Sequence, residues 1–126
     1  MNKKVLIIGS QGYLGSRLSQ YLKEFNFQCT AIDTGYFKEG LIACQDTTPT
    51  IKKDARLIVE SDIRDNDVVM LLAGISNDPF GHMSSGQIYN PTRDYALHIA
   101  TMCKKLGIQF IYPSSCSVYG AAADSF

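Results

Sequence analysis

The feature that most constrains this chain is a glycine-rich turn set between a buried strand and a helix. Val5-Leu6-Ile7-Ile8 is a continuous apolar run, the pattern of a strand covered on both faces. Gly9-Ser10-Gln11-Gly12-Tyr13-Leu14-Gly15 follows at once, in the form G-x-x-G-x-x-G. Leu14, Leu18, Tyr21, Leu22 and Phe25 then recur at three- and four-residue spacing, which predicts an amphipathic helix. A glycine triplet alone is weak evidence. One that closes a buried strand and opens a helix has the context of a phosphate-binding turn. Gly9 permits the tight turn, Gly12 lets backbone approach a pyrophosphate, and Gly15 lets helix and strand pack closely. The helix N-terminus offers N–H groups and partial positive charge. The alternative is a plain turn with incidental glycines, and the context weighs against it.

The rest of the chain repeats the alternation of strand and helix. Gln28 to Ile32 reads as a second strand, ending at Asp33. Residues 34 to 48 read as loop, and Ile51 to Lys53 as a short third strand. Leu57 to Asp65 is expected to hold a short helix, and Val68 to Leu72 a fourth strand. Residues 74 to 86 read as a second loop. Ala96, Ile99, Ala100, Cys103 and Leu106 form a helical stripe, with Gly107 as its cap. Ile108 to Tyr112 is a fifth strand. Such alternation gives a parallel α/β sheet with helices on both faces. The expectation is a Rossmann-like doubly wound sheet of order 3-2-1-4-5.

Length and charge remove whole classes of function. The 126 residues suffice for one domain, here residues 1–126. Twelve basic and twelve acidic residues cancel, which argues against a nucleic-acid footprint or a polybasic membrane contact. Lys3 and Lys4 precede an apolar run too short for a secretory signal, and no stretch reaches the length of a membrane span. Cys29, Cys44, Cys103 and Cys116 are far apart, so neither a zinc site nor a disulfide framework is expected. His82 and His98 lack neighbours at metal-ligand spacing, and no metal is expected. Reduced thiols fit a cytoplasmic protein.

Asp33 ends the second strand, 18 residues after Gly15. A carboxylate there accepts hydrogen bonds from a ribose 2′-hydroxyl and repels a 2′-phosphate, which favours NAD over NADP. The alternative is a turn residue, since Asp33-Thr34-Gly35 is good turn chemistry. Leu72, Ala73 and Gly74 are expected to line the cofactor cleft at the switch between the two sheet halves, where small residues admit a ligand against backbone.

The glycine spacing resembles the extended short-chain dehydrogenase/reductases. Two later segments sharpen the resemblance. Leu71-Leu72-Ala73-Gly74-Ile75-Ser76-Asn77-Asp78-Pro79 is similar to that family's fourth strand and following loop. Ser114-Ser115-Cys116-Ser117-Val118-Tyr119-Gly120 is similar to the end of its fifth strand. Together they cover the whole chain, as the N-terminal part of an NAD-dependent epimerase/dehydratase acting on nucleotide sugars. The resemblance implies that Tyr13 and Leu14 share the cofactor turn with Gly9, Gly12 and Gly15. It implies that Ser115 is the catalytic hydroxyl, which hydrogen-bonds the reacting oxygen of the sugar. Thiol catalysis by Cys116 is not expected, with no histidine nearby in sequence. An Asp-Glu pair stands at the places of Cys116 and Ser117 in the family's sugar 4,6-dehydratases. Its absence favours epimerase or ketoreductase chemistry over loss of water.

Two further positions carry alternatives. Asp62-Ile63-Arg64-Asp65 resembles the family's adenine-side motif but leaves ten residues before Ala73. Asp54-Ala55-Arg56 has the same form, follows the third strand and leaves 18, so Asp54 and Ala55 are assigned to the adenine. Asp62 and Ile63 then fall in the intervening helix. Asn90 matches a family asparagine at the start of the fourth helix; equally, Asn90-Pro91 is a good cap with proline at the first helical position. The family often has Gly-Thr where Arg93-Asp94 stands.

The family's chemistry also needs Tyr-x-x-x-Lys, which lies on the helix after the fifth strand. None of the seven tyrosines here has a lysine four residues later. The leading expectation is therefore a chain truncated after strand 5 and inactive alone. The alternatives are a native, non-catalytic NAD-binding or interaction module, and another nucleotide-binding protein such as a redox-sensing regulator. An uncovered sheet edge and exposed helices predict a homo-oligomer.

Overall fold

A computed structural model describes residues 2–40, 48–74 and 84–115. Five parallel strands form one sheet: β1 (Lys4–Ile8), β2 (Gln28–Asp33), β3 (Thr50–Lys52), β4 (Val68–Leu71) and β5 (Gln109–Ile111). Their order is β3-β2-β1-β4-β5, the doubly wound Rossmann-like arrangement expected. Helices α1 (Tyr13–Glu24), α2 (Glu60–Ile63) and α3 (Ser85–Leu106) connect them, with 3-10 turns at Lys38–Gly40 and Ala55–Leu57. Central β1 pairs with β2 from Lys4 opposite Gln28 and with β4 from Val5 opposite Val68.

Alternation along β1 builds two cores. Leu6 and Ile8 join Ile32, Val69 and Leu71 under α3, with Ile58 and Ile63 from the segment around α2. Val5 and Ile7 face the other way, with Cys29, Val68 and the partly buried Leu22 of α1. Successive strand residues point to opposite faces, so an all-apolar β1 must be covered on both sides.

Two expectations change. The stripe read for α1 is only partly its buried face: Leu22 packs against the second core and Leu18 is half-buried. Leu14, Tyr21 and Phe25 are exposed, whereas Gly15, Ser16 and Ser19 pack against the sheet. The cause is distance. A Cβ on Gly15 would lie 2.2 Å from the Gly9 carbonyl oxygen, so only the smallest residues fit where helix and turn touch.

The second change concerns α3, which begins at Ser85, inside the stretch expected to be loop. Its cap is Ser84. The Gln87 N–H donates to Ser84 Oγ and the Ser84 N–H donates to Gln87 Oε1 at 2.9 Å, a reciprocal capping box. Asn90 is therefore no cap, and Pro91 lies within the helix. The stripe read for α3 holds at Ile99 and Cys103, which are buried, and at Ala96 and Leu106, which pack against the same core; Tyr95 and Met102 join that face. Gly107 does end the helix, in the left-handed conformation at φ 69°.

Ile51 to Lys53 is shifted by one residue to Thr50–Lys52, and strands four and five are shorter than expected. Asp62 and Ile63 do lie in α2. Cys44, His82, Cys116 and Ser117 lie outside the described residues, as do parts of both expected loops.

Candidate cofactor site

The site is built where β1 ends. The Gly9 N–H donates to the Ile32 carbonyl at 2.9 Å, while Leu72 and Ala73 N–H both donate to the Ile8 carbonyl, at 2.7 and 3.0 Å. Three chain segments thus converge on one residue. Gly9 has φ 92°, and a Cβ there would lie 2.5 Å from the Ala73 nitrogen. No side-chain-bearing residue meets both conditions.

From Gly9 the chain turns into α1. The Gly12 N–H reaches the Gly9 carbonyl at 3.4 Å, and the Gly12 carbonyl accepts the first helical bond, from Ser16 N–H at 3.1 Å. Gly12 is the cap and provides no side chain to the helix N-terminus; the first turn holds no acidic residue. The amides at this end are thus left for an anion. A Cβ on Gly12 would meet only the Gly9 oxygen, at 3.5 Å, so the fold does not require glycine there. Tyr13 and Leu14, on the same turn, are exposed. Ser10 is buried, and its Oγ has no hydrogen-bond partner among the described residues.

Asp33 joins this turn directly. Its Oδ2 accepts the Gln11 N–H at 2.8 Å, and its Oδ1 accepts the Gly35 N–H at 2.7 Å. One carboxylate ties the β1 turn to the end of β2. It keeps acceptor capacity on both oxygens, since an ionised carboxylate accepts about four hydrogen bonds.

On the far side of Gly9, the Ala73 carbonyl accepts the Tyr95 hydroxyl at 2.9 Å. The same hydroxyl lies 3.3 Å from Thr92 Oγ1. Burial pushes the Tyr95 phenol above its ordinary pKa, which keeps it a donor. Gly74 lies beside Thr92, whose methyl a Cβ on Gly74 would meet at 3.8 Å. Tyr95 was not legible as a site residue; its sequence signal is a polar-tipped residue one turn before Ile99 on the buried face of α3.

Asp54 and Ala55 follow β3. Asp54 caps the 3-10 turn by accepting the Arg56 N–H at 2.9 Å, and it also pairs with the Arg56 guanidinium at 2.6 Å. The hydrogen bond from Arg56 holds its carboxyl below the usual range. Ala55 is buried in the core that contains Tyr95. Asn90 is exposed on α3. Ser115 is exposed four residues beyond β5, past the same C-terminal sheet edge as Gly9, Asp33 and Ala73. The structure thus gathers Gly9, Gly12, Gly15, Asp33 and Ala73 tightly. Asp54, Asn90 and Ser115 lie on other segments: the turn after β3, α3 and the chain beyond β5. Among the described residues no group of three His, Cys, Asp or Glu side chains is arranged to hold a metal. Among them, too, no helix is long and apolar enough to cross a membrane.

Solved structures with this fold include the following three. A UDP-N-acetylglucosamine 4-epimerase from Methanobrevibacter ruminantium, in complex with UDP-N-acetylmuramic acid, superposes with TM-score 0.82 at 26% identity, over 98% of this chain and 41% of that one. An NAD dependent NDP-hexosamine 5,6-dehydratase of tunicamycin biosynthesis gives 0.74 at 22% identity, over 96% and 40%. A UDP-glucose 4-epimerase from Stenotrophomonas maltophila with bound NAD gives 0.75 at 16% identity, over 98% and 40%. The chain spans about two-fifths of the length of these proteins. No curated protein sequence matches the chain significantly. The sequence model of the NAD dependent epimerase/dehydratase family matches residues 5–126. The chain therefore belongs to the NAD dependent epimerase/dehydratase family, whose cofactor is NAD.

Proposed function

We propose that residues 1–126 are the NAD-binding part of a nucleotide-sugar epimerase or reductase. The observation that carries this is the uncapped N-terminus of α1 above a glycine turn that a Cβ would fill, joined to Asp33 by the Gln11 N–H. Backbone amides of the turn bind the pyrophosphate, and Gly12 leaves room for it. The spare acceptor capacity of Asp33 takes the adenosine ribose hydroxyls and excludes a 2′-phosphate. Asp54 and Ala55 flank the adenine. Leu72, Ala73 and Gly74 form the wall of the cleft, and Tyr13, Leu14 and Asn90 border it. NAD supplies a hydride acceptor and donor for a sugar carbon that passes through a keto form.

Ser115 donates a hydrogen bond to the oxygen on that carbon, where charge develops. No tyrosine–lysine pair at the required spacing occurs within these 126 residues to move the proton. This segment by itself therefore binds NAD and turns over no substrate. A cytoplasmic setting, where thiols stay reduced, suits the buried Cys29 and Cys103. The solved epimerases and the dehydratase of the same fold support a nucleotide-sugar substrate class.

Calorimetric titration with NAD and NADP, alongside an epimerase and reductase assay, tests the reading. NAD binding that exceeds NADP binding, without turnover, is expected. Absence of NAD binding at millimolar concentration refutes the site. Turnover by residues 1–126 refutes the assignment of the missing proton-transfer pair.

A further inference from the structure

We propose that the outer face of α1 is a self-association surface, on which a second copy of this chain packs its own α1 antiparallel. Leu14, Tyr21 and Phe25 are 62%, 56% and 58% exposed, and Leu18 between them is half-buried. The Tyr21 and Phe25 rings already contact one another in a tilted arrangement, with centroids 4.8 Å apart. The spacing of Leu14, Leu18, Tyr21 and Phe25 is four, three and four residues. That is the seam of a coiled coil, with alternating core positions of a heptad.

The spacing reads the same in both directions. Turned about a two-fold axis at the level between Ser19 and Gln20, Leu14 meets the partner copy's Phe25 position and Leu18 its Tyr21 position. The flanks commit the occupant. Arg17 and Glu24 lie one residue before Leu18 and Phe25, on the same edge of the seam. In an antiparallel pair such edge positions face one another across the seam. Arg17 of each copy then opposes Glu24 of the other, giving two ion pairs from one operator. Both residues are exposed, and neither makes an ion pair among the described residues. A parallel arrangement would set Arg17 against the partner copy's Leu22 position and form neither ion pair. The charges therefore specify an isologous, antiparallel dimer.

The seam is three turns long, so the interface falls below about 1,200 Å² in total and is transient, with association visible only at high protein concentration. The proposal does not depend on NAD binding.

Sedimentation equilibrium from about 10 μM to 1 mM is the test, in a range suited to a transient interface. The unaltered chain is expected to dimerise. Arg17→Glu and Glu24→Arg alone each place like charges across the seam, and each is expected to weaken the dimer about fivefold or more. The double variant Arg17→Glu/Glu24→Arg is expected to restore it to within about twofold. Both positions are exposed, and circular dichroism confirms folding of each variant. A monomer at 1 mM overturns the proposal. A dimer insensitive to the charge variants, formed through the β5 edge instead, overturns it too. So does failure of the double variant to recover. Should added residues beyond 126 abolish the association, the face belongs to that added segment and the proposal fails.

Discussion

Replacing Gly15 by alanine and replacing Gly12 by alanine separate what the turn does for the fold from what it does for the ligand. At Gly15 the new Cβ would sit 2.2 Å from the Gly9 oxygen and 2.7 Å from the Ser10 Cα. Ordinary contact begins at 3.4 Å, so α1 must retreat by about 1.2 Å. Overpacking costs about 1–3 kcal/mol where a side chain can yield. Here the obstacles are backbone atoms of a turn pinned by Ile32 and Asp33, so the cost is at least about 3 kcal/mol. In a domain of this size that lowers Tm by about 10 °C or more. At Gly12 the nearest atom is 3.5 Å away and φ is −89°, so alanine meets neither clash nor strain. Its cost is that of a poorer cap, below about 1 kcal/mol. The added methyl stands where the pyrophosphate approaches, so NAD affinity is expected to fall about tenfold or more, equivalent to about 1.4 kcal/mol. Thermal melts by circular dichroism, paired with NAD titration, read both quantities. Equal Tm losses for the two variants would refute the packing argument. Full NAD affinity in Gly12→Ala would refute the placement of the phosphates.

Other perturbations act on single contacts. Asp33→Asn replaces one acceptor by a donor facing a backbone N–H, so it should cost about 1–2 kcal/mol and narrow the preference for NAD over NADP, measured by parallel titrations. Tyr95→Phe strips the Ala73 carbonyl of its donor and should cost about 1–2 kcal/mol while weakening NAD binding; unchanged affinity would show that the cleft wall needs no tether. Acid should weaken the fold through Asp62, which pairs with Lys53 at 2.7 Å. Burial works to raise its pKa, but the hydrogen bonds from Lys53 and the Val59 N–H outweigh it, and the carboxyl sits below its ordinary 3.8. A depressed folded value means the contribution is whole above about pH 4–5 and fades as pH falls through the lower folded value. Urea midpoints from pH 6 to 2 should therefore fall less steeply in Asp62→Asn than in the unaltered chain.

The strands were legible because a sheet buried on both faces writes its strands as apolar runs, as in Val5 to Ile8. Gly107 was legible as a cap because a left-handed residue at a helix end favours glycine. The orientation of α1 was not. Periodicity assigns the large apolar residues to the core, but close approach of helix to turn admits only Gly15, Ser16 and Ser19 there; Leu22 reaches the second core, while Leu14, Tyr21 and Phe25 stay outside. The start of α3 was hidden by a competing signal. Pro91 reads as a first-turn proline, while the box formed by Ser84 and Gln87 sits more than a turn earlier. Proline inside the helix forfeits one backbone bond, and the capping box with the buried face of Tyr95, Ile99, Met102 and Cys103 outweighs that loss. Tyr95 could not be found from spacing, because its role depends on which carbonyl it meets after folding.

The groups that shape the turn are also those that offer binding capacity. Asp33 uses two hydrogen bonds to hold Gln11 and Gly35 and retains acceptor sites for ribose. Ala73 gives its N–H to Ile8 and its carbonyl to Tyr95, so the cleft wall is fixed from both sides. Gly9 is wedged between Ile32 and Ala73 and cannot move without breaking β1 from a neighbour. A ligand entering such a site orders little backbone, and most of its contact energy appears as affinity. Residues that contribute only to binding are then few. Gly12 is the clearest candidate, since its Cα is open to a methyl in the fold. The backbone of the turn is thus fixed by strand-end pairing and by Asp33 together.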